Sequence, residues 1–250
     1  MIDLELDGRV AIVTGASRGL GRAAAVALME QGVRVVATVR SADDLADLAA
    51  GSAGRLHVAT CDMRDAAAVA GLPQVAVGAF GRLDIVVNNA GIAPAGAFLE
   101  QSDQIWHDVM AVNVTAPAVL SRAAGRIMVP QRSGKIINIA STSGILGKPT
   151  LVAYSSSKGA LLQFTKALAG EWAAQGVQVN AIAPGAFATD AQQAVLASPE
   201  ILQRRLRKIP ARRMGENHEI GPLICYLASK KSDFVTGAVY VIDGGESSKL

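Results

Sequence analysis

The chain has 250 residues, half of them hydrophobic, 4% aromatic and 18% charged, with 25 glycines; that length buries roughly three quarters of the unfolded surface, and the composition excludes a disordered or collagen-like chain. Its 24 Lys and Arg against 21 Asp and Glu leave a charge of +3, scattered except for a cluster at 204–213, which argues against a nucleic-acid partner. Cys61 and Cys225 fit no CxxC or metal spacing, no apolar run reaches membrane-spanning length, and the acidic start MIDLELDGRV lacks the zones of a signal peptide, so a cytoplasmic protein with reduced thiols and no membrane partner is expected.

Short β-rich runs occur at 9–14, 33–39, 56–61, 83–89, 135–141, 177–183 and 238–243, and they alternate with Ala-rich helical stretches. Strands separated by helices imply βαβ units. The nearly continuous apolar character of the strands implies burial on both sides. The expectation is therefore α/β: a single Rossmann-like domain over 1–250, with a doubly wound parallel sheet of about seven strands and helices on both faces. Ser41, Ser102 and Ser198 each precede a helical stretch and are expected caps, the last followed by Pro199 and Glu200.

The first strand runs into TGASRGLG at 14–21 and then into AAAVALMEQ. Glycines at 15, 19 and 21 let backbone amides approach a pyrophosphate while the next helix offers its N-terminal dipole. Gly15, Ser17, Arg18, Gly19, Leu20 and Gly21 are the expected contacts to a dinucleotide. The spacing is GxxxGxG, not the common GxGxxG. At the end of the second strand Val39 stands where an acid would accept from a free ribose 2′-hydroxyl, and Arg40 follows. Arg40 and Arg18 could pair with a 2′-phosphate, so NADP(H) is expected in preference to NAD(H). Two solvated arginines are the alternative.

At 153–160 the chain reads AYSSSKGA. A free tyrosine, with a pKa of about 10, is a poor base at neutral pH. Tyr154 and Lys158, four apart, share one helix face, and an ammonium there would lower the phenol towards the range of a general acid/base. Ser141, at the end of strand 135–141, supplies a second hydroxyl donor for a developing alkoxide, with Thr142 and Ser143 as nearby alternatives. Asn113 precedes Pro117 by four residues, so in an α-helix the missing proline N–H would leave the Asn113 carbonyl unbonded and able to accept from water.

The series TGASRGLG, Asp62, NNAG at 88–91, Asn113, Ser141, YSSSK and Pro184–Gly185, in this order and spacing, resembles the short-chain dehydrogenase/reductase family over essentially the whole chain. The resemblance implies an NAD(P)-dependent enzyme interconverting a small-molecule carbonyl and an alcohol, with Tyr154 passing the proton. Lys158 would also bind the nicotinamide ribose, and Asn113 would begin a proton relay through water to Lys158. Asp62 and Met63 would contact adenine, Asn89, Ala90 and Gly91 would line the cofactor floor, and Thr189 would hold the carboxamide after Pro184 and Gly185 turn the chain. A substrate lid would cover about 186–215, and the assembly would be a homotetramer.

Two subgroups fit. EWAAQGVQVNAIAPG with SPE and IPARRMG resembles sugar-acid dehydrogenases, whereas TGASRGLG and Arg132 resemble 3-oxoacyl carrier-protein reductases, in which a second arginine would stand where Gln175 does. The cations at 204–213 could receive an anionic substrate or form a solvated face. A non-catalytic NADP sensor on the same fold is a reading of another class, disfavoured because Asn113, Ser141, Tyr154 and Lys158 are all present. There is no GxSxG elbow, and His57, His107 and His218 form neither a hydrolytic triad nor a metal cluster, so no metal is expected. Trp106 and Trp172 are expected to pack, not to stack on a cofactor.

Overall fold

In the computed structural model, which describes residues 3–248, the seven expected runs form seven strands. They are β1 (Val10–Val13), β2 (Arg34–Val39), β3 (Leu56–Thr60), β4 (Ile85–Asn88), β5 (Gly134–Ile139), β6 (Val177–Pro184) and β7 (Val239–Ile242). All pairings are parallel, in the order β3-β2-β1-β4-β5-β6-β7.

The helices are α1 (Gly19–Glu30), α2 (Ala46–Gly51), α3 (Ala66–Phe80), α4 (Asp103–Met110), α5 (Ala116–Gln131), α6 (Ser143–Leu146), α7 (Val152–Trp172), α8 (Gln193–Leu196), α9 (Pro199–Leu206) and α10 (Gly221–Ala228). Strand alternation sorts the core into two layers. Ala11, Val13, Val35 and Ile137 pack with Leu28 of α1 and Ile224 of α10. Val10, Ile12, Val36 and Ile136 pack on the opposite face with Leu72 of α3, Leu120 of α5 and Ala169 of α7. Both faces are thus covered, as the apolar runs required.

Strand order reverses between β1 and β4, which opens a crevice at the carboxyl ends of the strands. The glycine turn, NNAG, Ser141 and Pro184–Gly185 all follow strand ends on that side. Of the three expected caps only Ser198 acts as one, its hydroxyl accepting from Ile201 N. The helices after Ser41 and Ser102 begin without a side-chain cap bond. Asp65, in contrast, accepts from Ala67 N and Ala68 N at the start of α3.

Candidate active site

The glycine turn is shaped by the lack of side chains. Gly15 has φ of +64°, and a Cβ there would lie 2.9 Å from Ala90 Cα. One at Gly21 would lie 2.3 Å from the Gly15 carbonyl oxygen. The backbone of the turn is therefore held against β4's end, and α1 starts at Gly19 with no side-chain cap on its first amides. Thr14 ties the two strand ends, its hydroxyl accepting from Asn89 N and Ala90 N, both at 3.0 Å. Asn89 Nδ2 donates to the carbonyls of Thr14 and Gly15. Leu20 points into the core, so only its backbone faces the turn, and Ser17 is half-buried beside it.

Arg18 and Arg40 are both exposed. Val39 is buried, and no acid stands at the end of β2. Asp62, beyond β3, is engaged by Arg64, which donates from Nη2 at 2.7 Å and holds the carboxyl down at about 2. Arg40 adds a smaller attraction, which places it near Asp62. Met63 packs against the core layer that contains α3. On the far side of the turn, Thr189 Cγ2 lies 3.4 Å from where a Gly19 Cβ would be. The segment after Pro184 therefore returns over the glycine turn, and the Thr189 side chain caps no helix.

Tyr154 and Lys158 lie on α7 as the spacing required, with Lys158 3% exposed. The direction of the Tyr154 shift is opposite to the one expected from the sequence. Burial raises the phenol above its ordinary value, opposed by its hydrogen bond with Ser141, and burial holds the Lys158 ammonium down at about 8. The reason is geometric. Lys158 Nζ donates to the Ile139 carbonyl at 2.7 Å and lies 5.7 Å from the centre of the Tyr154 ring, so its hydrogen bond goes to the backbone and not to the phenol. Desolvation then penalises the charged form of each group.

Ser141 is buried beside Tyr154, and its hydroxyl accepts from Ser143 N at 3.1 Å. Thr142 N donates to the Pro184 carbonyl, tying the Ser141 loop to β6. A Cβ at Gly185 would lie 2.5 Å from Asp243 Cβ, so this turn too admits only glycine without a shift.

Asn113 is fully buried in a π-helical turn, Ala111–Thr115, that joins α4 to α5. The irregularity read from Pro117 is thus a wide turn in a continuous helical path, with Ala116 N donating to the Ala111 carbonyl. The Asn113 side chain accepts from Ile92 N at 2.9 Å and donates to the Ile92 carbonyl at 3.0 Å. It also donates to Ser157 Oγ at 2.9 Å.

Ser157 was not singled out from sequence. Its hydroxyl donates to the Tyr154 carbonyl at 2.7 Å, so it bridges the π-turn and the helix carrying Tyr154. The back-bond three residues earlier is readable from spacing, but the Asn113 contact is tertiary. Ser155 Oγ accepts from Lys148 N at 3.1 Å. Among the described residues no group of His, Cys, Asp and Glu could hold a metal ion, and no helix is long and apolar enough to cross a membrane.

A family model described as enoyl-(acyl carrier protein) reductase matches residues 15–247. The chain is 41% identical over 244 residues to a galactitol 2-dehydrogenase (L-tagatose-forming) of Cereibacter sphaeroides, covering 96% of this chain and 95% of that one. It is 36% identical over 249 residues to the 3-oxoacyl-[acyl-carrier-protein] reductase FabG of Vibrio cholerae, covering 97% and 98%. Among solved structures, a gluconate 5-dehydrogenase from Burkholderia cenocepacia in complex with NADP and tartrate superposes with a TM-score of 0.93 at 33% identity, covering 99% and 98%.

Proposed function

The chain belongs to the short-chain dehydrogenase/reductase family, enzymes that use NAD(P) to interconvert CH–OH and C=O, and on that premise we propose that Tyr154 exchanges the substrate proton. The observation that carries the reading is the meeting of the Ser141 hydroxyl and the Tyr154 phenol beside the buried Lys158. Ser141 follows the carboxyl end of β5 and Tyr154 lies in the first turn of α7, so both can donate to one substrate oxygen. In reduction Tyr154 gives its proton to that oxygen, and in oxidation it takes the proton back. Ser141 steadies the developing negative charge. Lys158 returns a proton to Tyr154 in reduction and takes one from it in oxidation, and it exchanges that proton with solvent through water held at the Asn113 backbone, the Asn113 side chain being taken up by Ile92 and Ser157.

A nicotinamide dinucleotide would supply or accept the hydride. The residues present fit it: the bare backbone at Gly15 and Gly21 and the uncapped first turn of α1 suit a pyrophosphate. Ser17, Arg18, Gly19 and Leu20 would complete that cradle. Asn89, Ala90, Gly91, Pro184, Gly185 and Thr189 would line the nicotinamide end, and Asp62 and Met63 the adenine end.

NADP(H) is the proposed cofactor, supported by exposed Arg18 and Arg40 at a strand end without an acid. Wild type is expected to show the higher kcat/KM with NADPH, followed by loss of 340 nm absorbance. Arg40→Ala should lower that value about tenfold and leave NADH nearly unchanged. A wild-type preference for NADH would refute the assignment.

Ser157 is proposed to position Tyr154 through Asn113. Ser157→Ala leaves a buried amide donor without its acceptor, and kcat should fall about tenfold while KM stays within about twofold. Ser157→Thr, which restores a hydroxyl, should recover most of the loss. Equal loss in both variants would show that only packing matters there.

The substrate is proposed to be a sugar acid or polyol. A 3-oxoacyl thioester is the second reading, supported by the likeness to the Vibrio cholerae reductase. A cytoplasmic homotetramer is proposed as well, and the exposed Phe98, Leu99 and Phe234 support self-association.

A further inference from the structure

Six cations lie between 204 and 213, and five of them are exposed; Arg205, on α9, is the one partly buried. Its Nη2 donates to Glu246 Oε2 at 3.2 Å. Its Nε is buried without a hydrogen-bond partner. Glu246 is itself only 8% exposed, and its Oε2 lies 3.4 Å from where a Gly185 Cβ would be. The pair therefore sits at the end of β6, beside the Pro184–Gly185 turn.

Lys148 approaches the same place from β5. It closes the segment that begins at Ser141, and its amide is fastened to Ser155, the residue after Tyr154. The Lys148 side chain is partly buried, and burial holds its ammonium below the ordinary lysine value. Glu246 and Asp243 attract it, and Arg205 and Lys208 repel it. Among the described residues the Lys148 ammonium has no hydrogen bond or ion pair. Asp243 is occupied elsewhere, its two oxygens accepting from Gly245 N at 2.8 Å and Ser247 N at 2.7 Å. Glu246 is thus one acid facing two cations that each retain an unused donor.

A partly desolvated ammonium and a buried guanidinium N–H without acceptors are unfavourable unless an anion completes them. The two flank the strand ends that carry Ser141 and Gly185, where the substrate must lie if the Tyr154 reading holds. Resting on that reading, we propose that Lys148 and Arg205 receive a carboxylate of the substrate, which makes it a hydroxy or oxo acid, not a neutral polyol or a carrier-bound thioester. Arg205 then has two duties, latching α9 to Glu246 and offering Nε to the ligand. Lys148 has only the second.

The test uses binding without turnover. In the Tyr154→Phe protein with NADP present, gluconate should raise Tm. Adding Lys148→Met should weaken gluconate binding about 10- to 100-fold and remove that rise at the same concentration. Lys148→Arg in the same background should restore it, and galactitol should show no dependence on residue 148. No rise with gluconate, or a rise that persists with Lys148→Met, would overturn the proposal. In the Tyr154-intact enzyme the ratio of kcat/KM for gluconate to that for galactitol should fall by the same factor. Full activity of Tyr154→Phe would instead refute the proton-transfer reading and leave the Lys148 result standing by itself.

Discussion

Tyr154→Phe is expected to lower kcat by about 10²- to 10⁴-fold in either direction, the range that a positioned general acid/base contributes. The substitution removes one oxygen and keeps the ring. That ring faces the Lys158 ammonium, so the packing around the lysine survives. Ser141 Oγ still accepts from the Ser143 amide, so the loss is the one hydrogen bond between the two hydroxyls, about 1 kcal/mol. Tm should therefore change little. Steady-state rates at 340 nm, with Tm measured on the same preparation, check both parts. Activity within tenfold of wild type would remove Tyr154 from the proton path.

Lys158→Met should separate stability from activity. The folded pKa of Lys158 is about 8, below the ordinary value of 10.5, so folding favours the neutral amine. The resulting destabilisation is fully present below pH 8 and is relieved as pH rises from about 8 towards 10.5. Methionine has a similar length and no charge. At pH 7 it should raise Tm by about 2–4 °C, after allowing about 1 kcal/mol for the lost hydrogen bond to the Ile139 carbonyl. Activity should fall by about 10²-fold or more, because the proton that leaves Tyr154 no longer has a neighbour to replace it. A drop in both Tm and activity would mean that Lys158 is chiefly a structural cation.

Much of this was legible in the chain. Apolar runs gave all seven strands because burial on two faces leaves a continuous signature, and GxxxGxG after the first strand marked where backbone approaches backbone. The four-residue spacing put Tyr154 and Lys158 on one helix. What the chain does not encode locally is desolvation. The ammonium was expected to depress the phenol, but the Ile139 carbonyl captures Nζ and burial raises Tyr154 instead. Pro117 announced an irregular helix without specifying a π-turn. Ser41 and Ser102 precede helices yet cap nothing, since a cap depends on the rotamer as well as the residue. The same holds for 204–213, where like charges part company: Arg213 pairs with Glu219 at the surface and Arg205 turns towards the buried Glu246.

The pH dependence of kcat in both directions, for wild type and Lys158→Met, probes the Tyr154–Lys158 pair most directly. Oxidation needs the pair ready to accept a proton and reduction needs the proton in place, so wild-type oxidation should rise, and reduction fall, through about pH 8. In Lys158→Met the group near 8 is gone, and the limb should move up towards the raised value of Tyr154. A limb that stays at the same pH in Lys158→Met would contradict a proton shared by these two residues.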